Sequence, residues 1–125
     1  MRMSGKMNDA TIEELFNLQK ENQLKMFQMG AYGKIDVCKL PTDNVSLSSY
    51  HLLHLVSELG EILEADKRWK SFRNEKYDKK GKAEEIADCF IVLLNIAMYS
   101  GIDASELSKA IYDKIKKVSD RVSEL

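Results

Sequence analysis

"EEIADCFIVLLNIA", residues 84–97, is the stretch that decides the fold of this chain. Its apolar residues fall on nearly every side of a helix, and neither proline nor glycine interrupts them. A helix that is apolar nearly all round is typically buried among other helices. We therefore expect a helix from about residue 82 to about residue 100, ending at Gly101, as the most buried element of the protein.

Helical patterns also precede this stretch. A helix is expected over about residues 47–70, because its apolar residues recur on one wide face, namely Leu52, Leu55, Val56, Leu59, Ile62 and Leu63. Another is expected over about residues 11–29, where Thr11 and Glu14 have the spacing of a capping box. Strand patterns are weak throughout, so the chain is predicted to be all-α.

A fourth helix follows, since Asp103 and Glu106 form a second capping box before an apolar stripe. Residues 30–46 contain glycine, proline, aspartate and asparagine and are expected to form a loop, and residues 71–80 are expected to form a charged linker. Four helices with mostly short connections predict an antiparallel four-helix bundle. The 125 residues suffice for a single domain, 1–125, with its core over about 47–122.

Composition excludes several classes of protein. The 19 basic and 20 acidic residues nearly balance, which gives no general case for binding nucleic acid or a membrane surface. The N-terminus lacks the apolar segment of a signal peptide, and the longest apolar stretch is too short and too polar to span a bilayer. Cys38 and Cys89 have no partner motif and are expected to be reduced thiols of a cytoplasmic protein, with a disulfide between them as the less favoured alternative.

Two pairs of carboxylates accompany the apolar helices. Glu58 and Glu61 are three residues apart in "SELGEILE", and Glu85 and Asp88 have the same spacing in "EEIADCF". Residues three apart project from nearly the same side of a helix, so packing the two helices together would make four carboxylates converge. Their mutual repulsion requires a positive partner, and a hard divalent cation such as Mg²⁺, with Mn²⁺ as an alternative, suits oxygen ligands.

Other interpretations of these carboxylates exist. A single Glu-x-x-Glu pair usually just faces water, but two pairs embedded in apolar sequence favour a site. Asp88 is the most informative, because an unpaired charge among Ile86, Cys89, Phe90 and Ile91 is costly. Di-iron carboxylate bundles need Glu-x-x-His, and no glutamate here has a histidine at that spacing. His54, four residues before Glu58, is a weaker ligand candidate, since such a histidine is more often a packing residue.

These motifs resemble a known family. Glu-x-x-Glu in "SELGEILE", a charged linker and Glu-x-x-Asp in "EEIADCFIVLLNIAMYSGID", with Asn95 seven residues after Asp88, are similar to the all-α nucleoside triphosphate pyrophosphohydrolases. That superfamily includes MazG-like proteins, dimeric dUTPases, dCTPases and phosphoribosyl-ATP pyrophosphohydrolases. The similarity covers about residues 47–122.

The resemblance implies hydrolysis of a nucleoside triphosphate to the monophosphate and pyrophosphate, a role in cleaning the nucleotide pool. It also implies Mg²⁺ held by Glu58, Glu61, Glu85 and Asp88. A carboxylate not fully used by the metal, Glu61 or Glu58, would accept the proton of the attacking water.

The last helix departs from the family pattern. MazG-like proteins often carry Asn-x-Lys-x-x-x-Arg there for the phosphates. In this chain Lys114 matches the lysine, whereas Tyr112 replaces the asparagine and Val118 the arginine. Lys117 and Arg121 are candidate substitutes for the missing contacts.

The base has two candidate partners. Asn95 lies two turns after Asp88, and an amide in so apolar a segment needs hydrogen-bond partners, either in a base or in a neighbouring helix. An amide suits a pyrimidine edge, so we expect a pyrimidine deoxynucleoside triphosphate as substrate. Trp69 is a candidate for stacking on the base or for packing. The eight basic residues within 67–82 either bind the triphosphate or simply form a solvated linker.

Two further expectations complete the sequence-based prediction. A non-catalytic helical protein that binds nucleotide or metal for regulation is the alternative to an enzyme. The apolar surface also exceeds what a small bundle can cover. The helix expected over about residues 11–29 adds Ile12, Leu15, Phe16, Leu24, Met26 and Phe27 to it. We therefore expect a homodimer or homotetramer, with helix faces at the interface.

Overall fold

The computed structural model describes residues 10–30, 40–70 and 77–125. Over these residues the chain forms four α-helices and no strand, which confirms the all-α prediction. An antiparallel bridge joins Asp43 to Ser100. The helices are α1 (Ile12–Gln28), α2 (Val45–Ala65), α3 (Lys79–Met98) and α4 (Ala104–Ser123), with a short 3₁₀ turn at Lys67–Trp69.

Two of the helix starts depend on local side-chain chemistry that the sequence displays. The capping boxes that open α1 and α4 are both formed, with reciprocal bonds between Thr11 and Glu14 and between Asp103 and Glu106. Each box satisfies backbone N–H groups that the first helical turn leaves without an intrahelical acceptor. These two helix starts are confirmed.

Two other helix boundaries differ from the prediction. Helix α2 ends at Ala65 rather than near residue 70, because Asp66 adopts an extended backbone and its carboxylate accepts the Arg68 N–H. Such local bonding offers the backbone an alternative to the helix. Helix α3 starts at Lys79, because the Asp78 carboxylate accepts the Gly81 N–H at 2.9 Å and caps the helix.

Helices α2 and α3 pack side by side and run antiparallel. At one end, the Asn44 N–H before α2 donates to the Tyr99 carbonyl after α3 at 2.8 Å. At the other end, Lys82 Nζ near the start of α3 lies 2.9 Å from Asp66 Oδ2 after α2. Because both ends are joined, the middle turns of the two helices face each other, and these turns carry the paired carboxylates.

The core lies where α1 crosses the C-terminal end of α3. It consists of six buried side chains, namely Phe16, Leu40, Leu47, Ala97, Met98 and Tyr99. Leu107 brings the first turns of α4 against this cluster, whereas every residue of α4 from Lys109 onward is exposed. Helix α4 therefore packs by its N-terminal part and leaves the remainder of its apolar stripe in solvent.

Helix α3 has more buried residues than the other three helices, as expected from its composition. They are Cys89, Val92, Asn95, Ala97 and Met98. Even so, Phe90 remains 56% exposed and Leu93 46% exposed in the single chain. None of the described helices is long and apolar enough to cross a membrane.

Candidate functional site

Three of the four predicted carboxylates converge. Glu58 projects from α2, and Glu85 and Asp88 project from α3, so that one oxygen from each lies within 4.8 Å of the others. The spacing of three residues places Glu85 and Asp88 on one side of their helix, and the antiparallel packing brings that side to Glu58. We refer to Glu58, Glu85 and Asp88 as the carboxylate trio.

Glu61 stands at the edge of this group. It was predicted as a fourth ligand, but it is exposed and lies outside the trio. Its charge still contributes to the raised pKa of Glu85, which indicates that it borders the site. The structure therefore separates Glu61 from the three carboxylates that meet.

The trio concentrates negative charge. Burial raises the pKa of Glu85, and the neighbouring charges of Asp88, Glu61 and Glu58 raise it further. Burial also raises the pKa of the Cys89 thiol, with the trio adding to the effect, so that this cysteine stays protonated. In the described part of the chain, no lysine or arginine forms an ion pair with the trio. Such a group favours binding of a cation.

His54 connects the trio to a neighbouring cavity. Its Nε2 lies 3.0 Å from Glu58 Oε1, and because a carboxylate only accepts, the imidazole N–H is the donor. This bond orients one oxygen of Glu58. The sequence suggested His54 as a weak metal ligand, whereas the structure places it beside a ligand candidate as a positioning group.

A cavity of about 540 Å³ lies between α1, α2 and α3. Its lining includes Gln19, Tyr50, His51, His54, Ile91 and Asn95. Most of its wall is apolar or aromatic, and a few amides and imidazoles provide polar contacts, a combination typical of small-molecule sites. His54 belongs both to this wall and to the bond with Glu58, so the cavity and the trio are adjacent.

Asn95 bridges two helices, as one of the two expectations has it, and its contact with a base stays a prediction. Its side chain bridges two helices, because Asn95 Oδ1 accepts a hydrogen bond from Gln19 Nε2 at 3.0 Å. It also lines the cavity while being only 5% exposed. Gln19 was missed by sequence reasoning, since its partner lies 76 residues away and no local pattern connects the two.

His51 forms the aromatic floor of the cavity. Its ring stacks on that of Tyr99 with a centroid distance of 5.1 Å and packs edge-on against Tyr50 at 5.0 Å. Burial, together with a smaller contribution from the neighbouring His54, lowers the pKa of His51 to about 4. His51 is therefore neutral near pH 7. Sequence reasoning did not single it out, because its burial depends on how α1 and α3 close over α2.

Acid should destabilise the protein through His51. The pKa of His51 is about 4 in the folded chain and 6.5 in the unfolded chain, so protonation favours unfolding. The free energy of unfolding should be highest above pH 6.5 and fall between pH 6.5 and 4, by about 2 kcal/mol after allowing for solvent in the open cavity. Urea titrations of His51→Phe should show a shallower decline across this window, and parallel curves for the two proteins would contradict the assignment.

The remaining predicted contacts lie apart from the cavity. Trp69 is 58% exposed, does not line the cavity and donates its indole N–H to the Leu63 carbonyl at 3.1 Å. On α4 the three cations proposed for the phosphates, Lys114, Lys117 and Arg121, are all exposed. Their roles in substrate binding stay predictions.

Some cations of the basic segment 67–82 form structural contacts. The Asp66 carboxylate accepts from Arg68 Nε at 2.8 Å and from Lys82 Nζ at 2.9 Å, and these bonds keep the pKa of Asp66 well below its usual range. Arg68 also lies 3.5 Å above the ring of Tyr77. These two cations therefore join the end of α2 to the start of α3. Residues 71–76 of the segment, and Cys38, lie outside the described residues.

No protein-family model, curated protein or solved structure matches this chain. The family resemblance therefore rests on the spacing of the motifs, and the function must be inferred from the site itself.

Proposed function

We propose that this protein is a Mg²⁺-dependent nucleoside triphosphate pyrophosphohydrolase of the MazG-like type, which releases pyrophosphate and leaves the monophosphate. The observation that carries the proposal is the convergence of Glu58, Glu85 and Asp88 from two facing helices. The adjacent cavity offers a place for the nucleoside, and the spacing of the same carboxylates resembles that of the pyrophosphohydrolases.

The donor set of the trio suits magnesium. Three carboxylate oxygens are hard ligands, and the raised pKa of Glu85 supports the view that a positive partner would stabilise the group. Glu58, Glu85 and Asp88 would hold the ion. When bound, Mg²⁺ would supply charge neutralisation for the triphosphate and Lewis-acid activation at the reacting phosphorus.

Glu61 is our candidate for the general base. It lies at the border of the trio yet outside it, so its oxygens are not needed as ligands. Glu58 is less suited, because one of its oxygens already accepts from His54. A carboxylate that remains available beside the site can accept the proton of the water that attacks the α-phosphorus.

The cavity would position the nucleoside. Asn95 follows Asp88 by seven residues, which corresponds to about 10 Å along a helix. Asn95 would contact the base, and the aromatic rings of Tyr50 and His51 would pack on it. The phosphates would then extend past His54 toward the trio, and the α-phosphorus would lie near Glu61.

The proposal is tested by pyrophosphate release from a panel of NTPs and dNTPs, with Mg²⁺ and with EDTA. We expect Mg²⁺-dependent release that is strongest for a pyrimidine deoxynucleoside triphosphate. The alternative, a non-catalytic regulator that binds nucleotide or metal, is favoured by the exposed position of the α4 cations. Saturable nucleotide binding without release for any member of the panel would replace the enzyme by this alternative.

Removing the amide of Asn95 should weaken base selection. In Asn95→Ala the polar edge of the preferred base loses its partner, which should cost about 1–3 kcal/mol in kcat/KM. The loss should fall on the base or bases that the wild-type protein prefers and be much smaller for the others. The measurement is kcat/KM across the panel, and an equal reduction for every nucleotide would make Asn95 a structural residue.

A further inference from the structure

Three amide side chains form a chain of hydrogen bonds that ends in the cavity. Asn22 Nδ2 donates to Gln19 Oε1 at 3.3 Å, and Gln19 Nε2 donates to Asn95 Oδ1 at 3.0 Å. We refer to Asn22, Gln19 and Asn95 as the amide relay. It starts at an exposed residue of α1 and ends at a side chain of α3 that is 5% exposed.

The inner end of the relay presents a hydrogen-bonding group to the cavity. The Oδ1 of Asn95 is engaged by Gln19, and among the described residues its Nδ2 donates to none. Because Asn95 is only 5% exposed and lines the cavity, a ligand in the cavity can accept a hydrogen bond from this amino group. In the observed state Asn95 therefore selects a carbonyl oxygen of the ligand.

The amide relay has a second state, in which the same three side chains are hydrogen-bonded but each bond runs in the opposite direction. If all three amides turn by half a rotation, each bond keeps a donor and an acceptor, and Asn95 presents its oxygen to the cavity. At the outer end of the relay Asn22 is exposed, so its rotated amide replaces one hydrogen bond to water by another. The two states therefore differ little in their hydrogen bonding, and a ligand can choose between them.

We propose that the amide relay lets this cavity accept both uracil-type and cytosine-type pyrimidines. At the 4-position uracil and thymine carry a carbonyl oxygen, whereas cytosine carries an amino group. The observed state pairs with the carbonyl, and the turned state pairs with the amino group. This inference rests on the proposed function to the extent that the cavity takes the nucleoside part of the substrate, and it makes Gln19 a positioning residue for specificity.

The experiment measures binding of dUMP and dCMP by calorimetry, which requires no hydrolysis. The wild-type protein should bind the two with affinities within about threefold of each other, since rotating an amide costs little. In Gln19→Glu the carboxylate only accepts, so Asn95 must donate to it and turn its oxygen to the cavity. The ratio of dCMP to dUMP affinity should then rise by about 10-fold or more, because Asn95 Oδ1 would face the 4-carbonyl oxygen of uracil and both are acceptors.

Two further variants provide a second test and a matched control. Asn95→Asp presents only acceptors and should shift the ratio in the same direction, which covers the case in which Gln19→Glu does not fold. Gln28→Glu makes the same chemical change at an exposed position of α1 and should leave the ratio unchanged. If the wild-type protein prefers dUMP or dCMP by more than about 30-fold, the amide of Asn95 is fixed in one orientation and the inference is overturned. An unchanged affinity ratio in Gln19→Glu and Asn95→Asp would also overturn it. If the ratios change as expected while no pyrophosphate is released, the binding inference stands and the enzymatic proposal falls.

Discussion

Replacing Asp88 with asparagine is expected to reduce Mg²⁺-dependent pyrophosphate release by about 100- to 1000-fold or more, to background. Asp88 supplies one of the three oxygens that lie within 4.8 Å of one another, and a neutral amide binds magnesium far more weakly. The measurement pairs pyrophosphate release with Mg²⁺ binding by calorimetry. Near-normal turnover in Asp88→Asn would remove the trio as the metal site.

Glu61→Gln should lose turnover to a similar extent but by a different route. Because Glu61 lies outside the trio, the variant should keep most of its affinity for Mg²⁺ while lacking a base for the attacking water. A parallel loss of metal binding and turnover in Glu61→Gln would instead make Glu61 a ligand, as the spacing of the sequence motif first suggested.

Neither loss should come from unfolding. The charge of Asp88 contributes to the raised pKa of Glu85, so its removal relieves repulsion in the metal-free protein. Urea denaturation in EDTA should therefore show Asp88→Asn to be as stable as the wild type or more stable at pH 7. Glu84→Gln is a matched control on the same helix, because it removes a carboxylate outside the trio, and it should change turnover little.

The protein should be a homodimer or homotetramer in solution. Along α2 a stripe of apolar side chains remains about half exposed or more, namely Leu52, Val56, Leu59 and Leu63. A second stripe follows α4 with Ile111, Ile115, Val118 and Val122. Monomeric proteins seldom leave such continuous apolar surfaces in water, so association should cover them. Light scattering at micromolar concentration measures the mass directly, and a monomer there would contradict this expectation.

A charge placed on the α2 stripe should weaken the assembly. Leu52→Lys introduces an ammonium on a surface that would be desolvated, which should cost about 2 kcal/mol or roughly 30-fold in the dissociation constant. Met29→Lys is the matched control, since Met29 is 84% exposed, caps the C-terminal end of α1 and belongs to neither stripe. Equal masses for both variants across a dilution series would exclude the α2 stripe from the interface.

Much of the fold could be predicted because its determinants are local. The capping boxes of α1 and α4 join residues three apart, and the apolar periodicity of each helix is visible along the chain. The same holds for the carboxylates, whose spacing places each pair on one side of its helix. The end predicted for α2 was wrong because Asp66 bonds to Arg68 and Lys82, and Lys82 is 16 residues away.

What the sequence determined by itself is the set of four helices and the pairing of Glu85 with Asp88, since both follow from helical geometry. The tertiary structure alone decided that Glu58 joins them while Glu61 stays outside, because this depends on the rotation of α2 against α3. It also decided the bond between Gln19 and Asn95 and the depressed pKa of His51. These depend on how α1 and α3 close over α2, and no short-range pattern specifies contacts between side chains 76 residues apart.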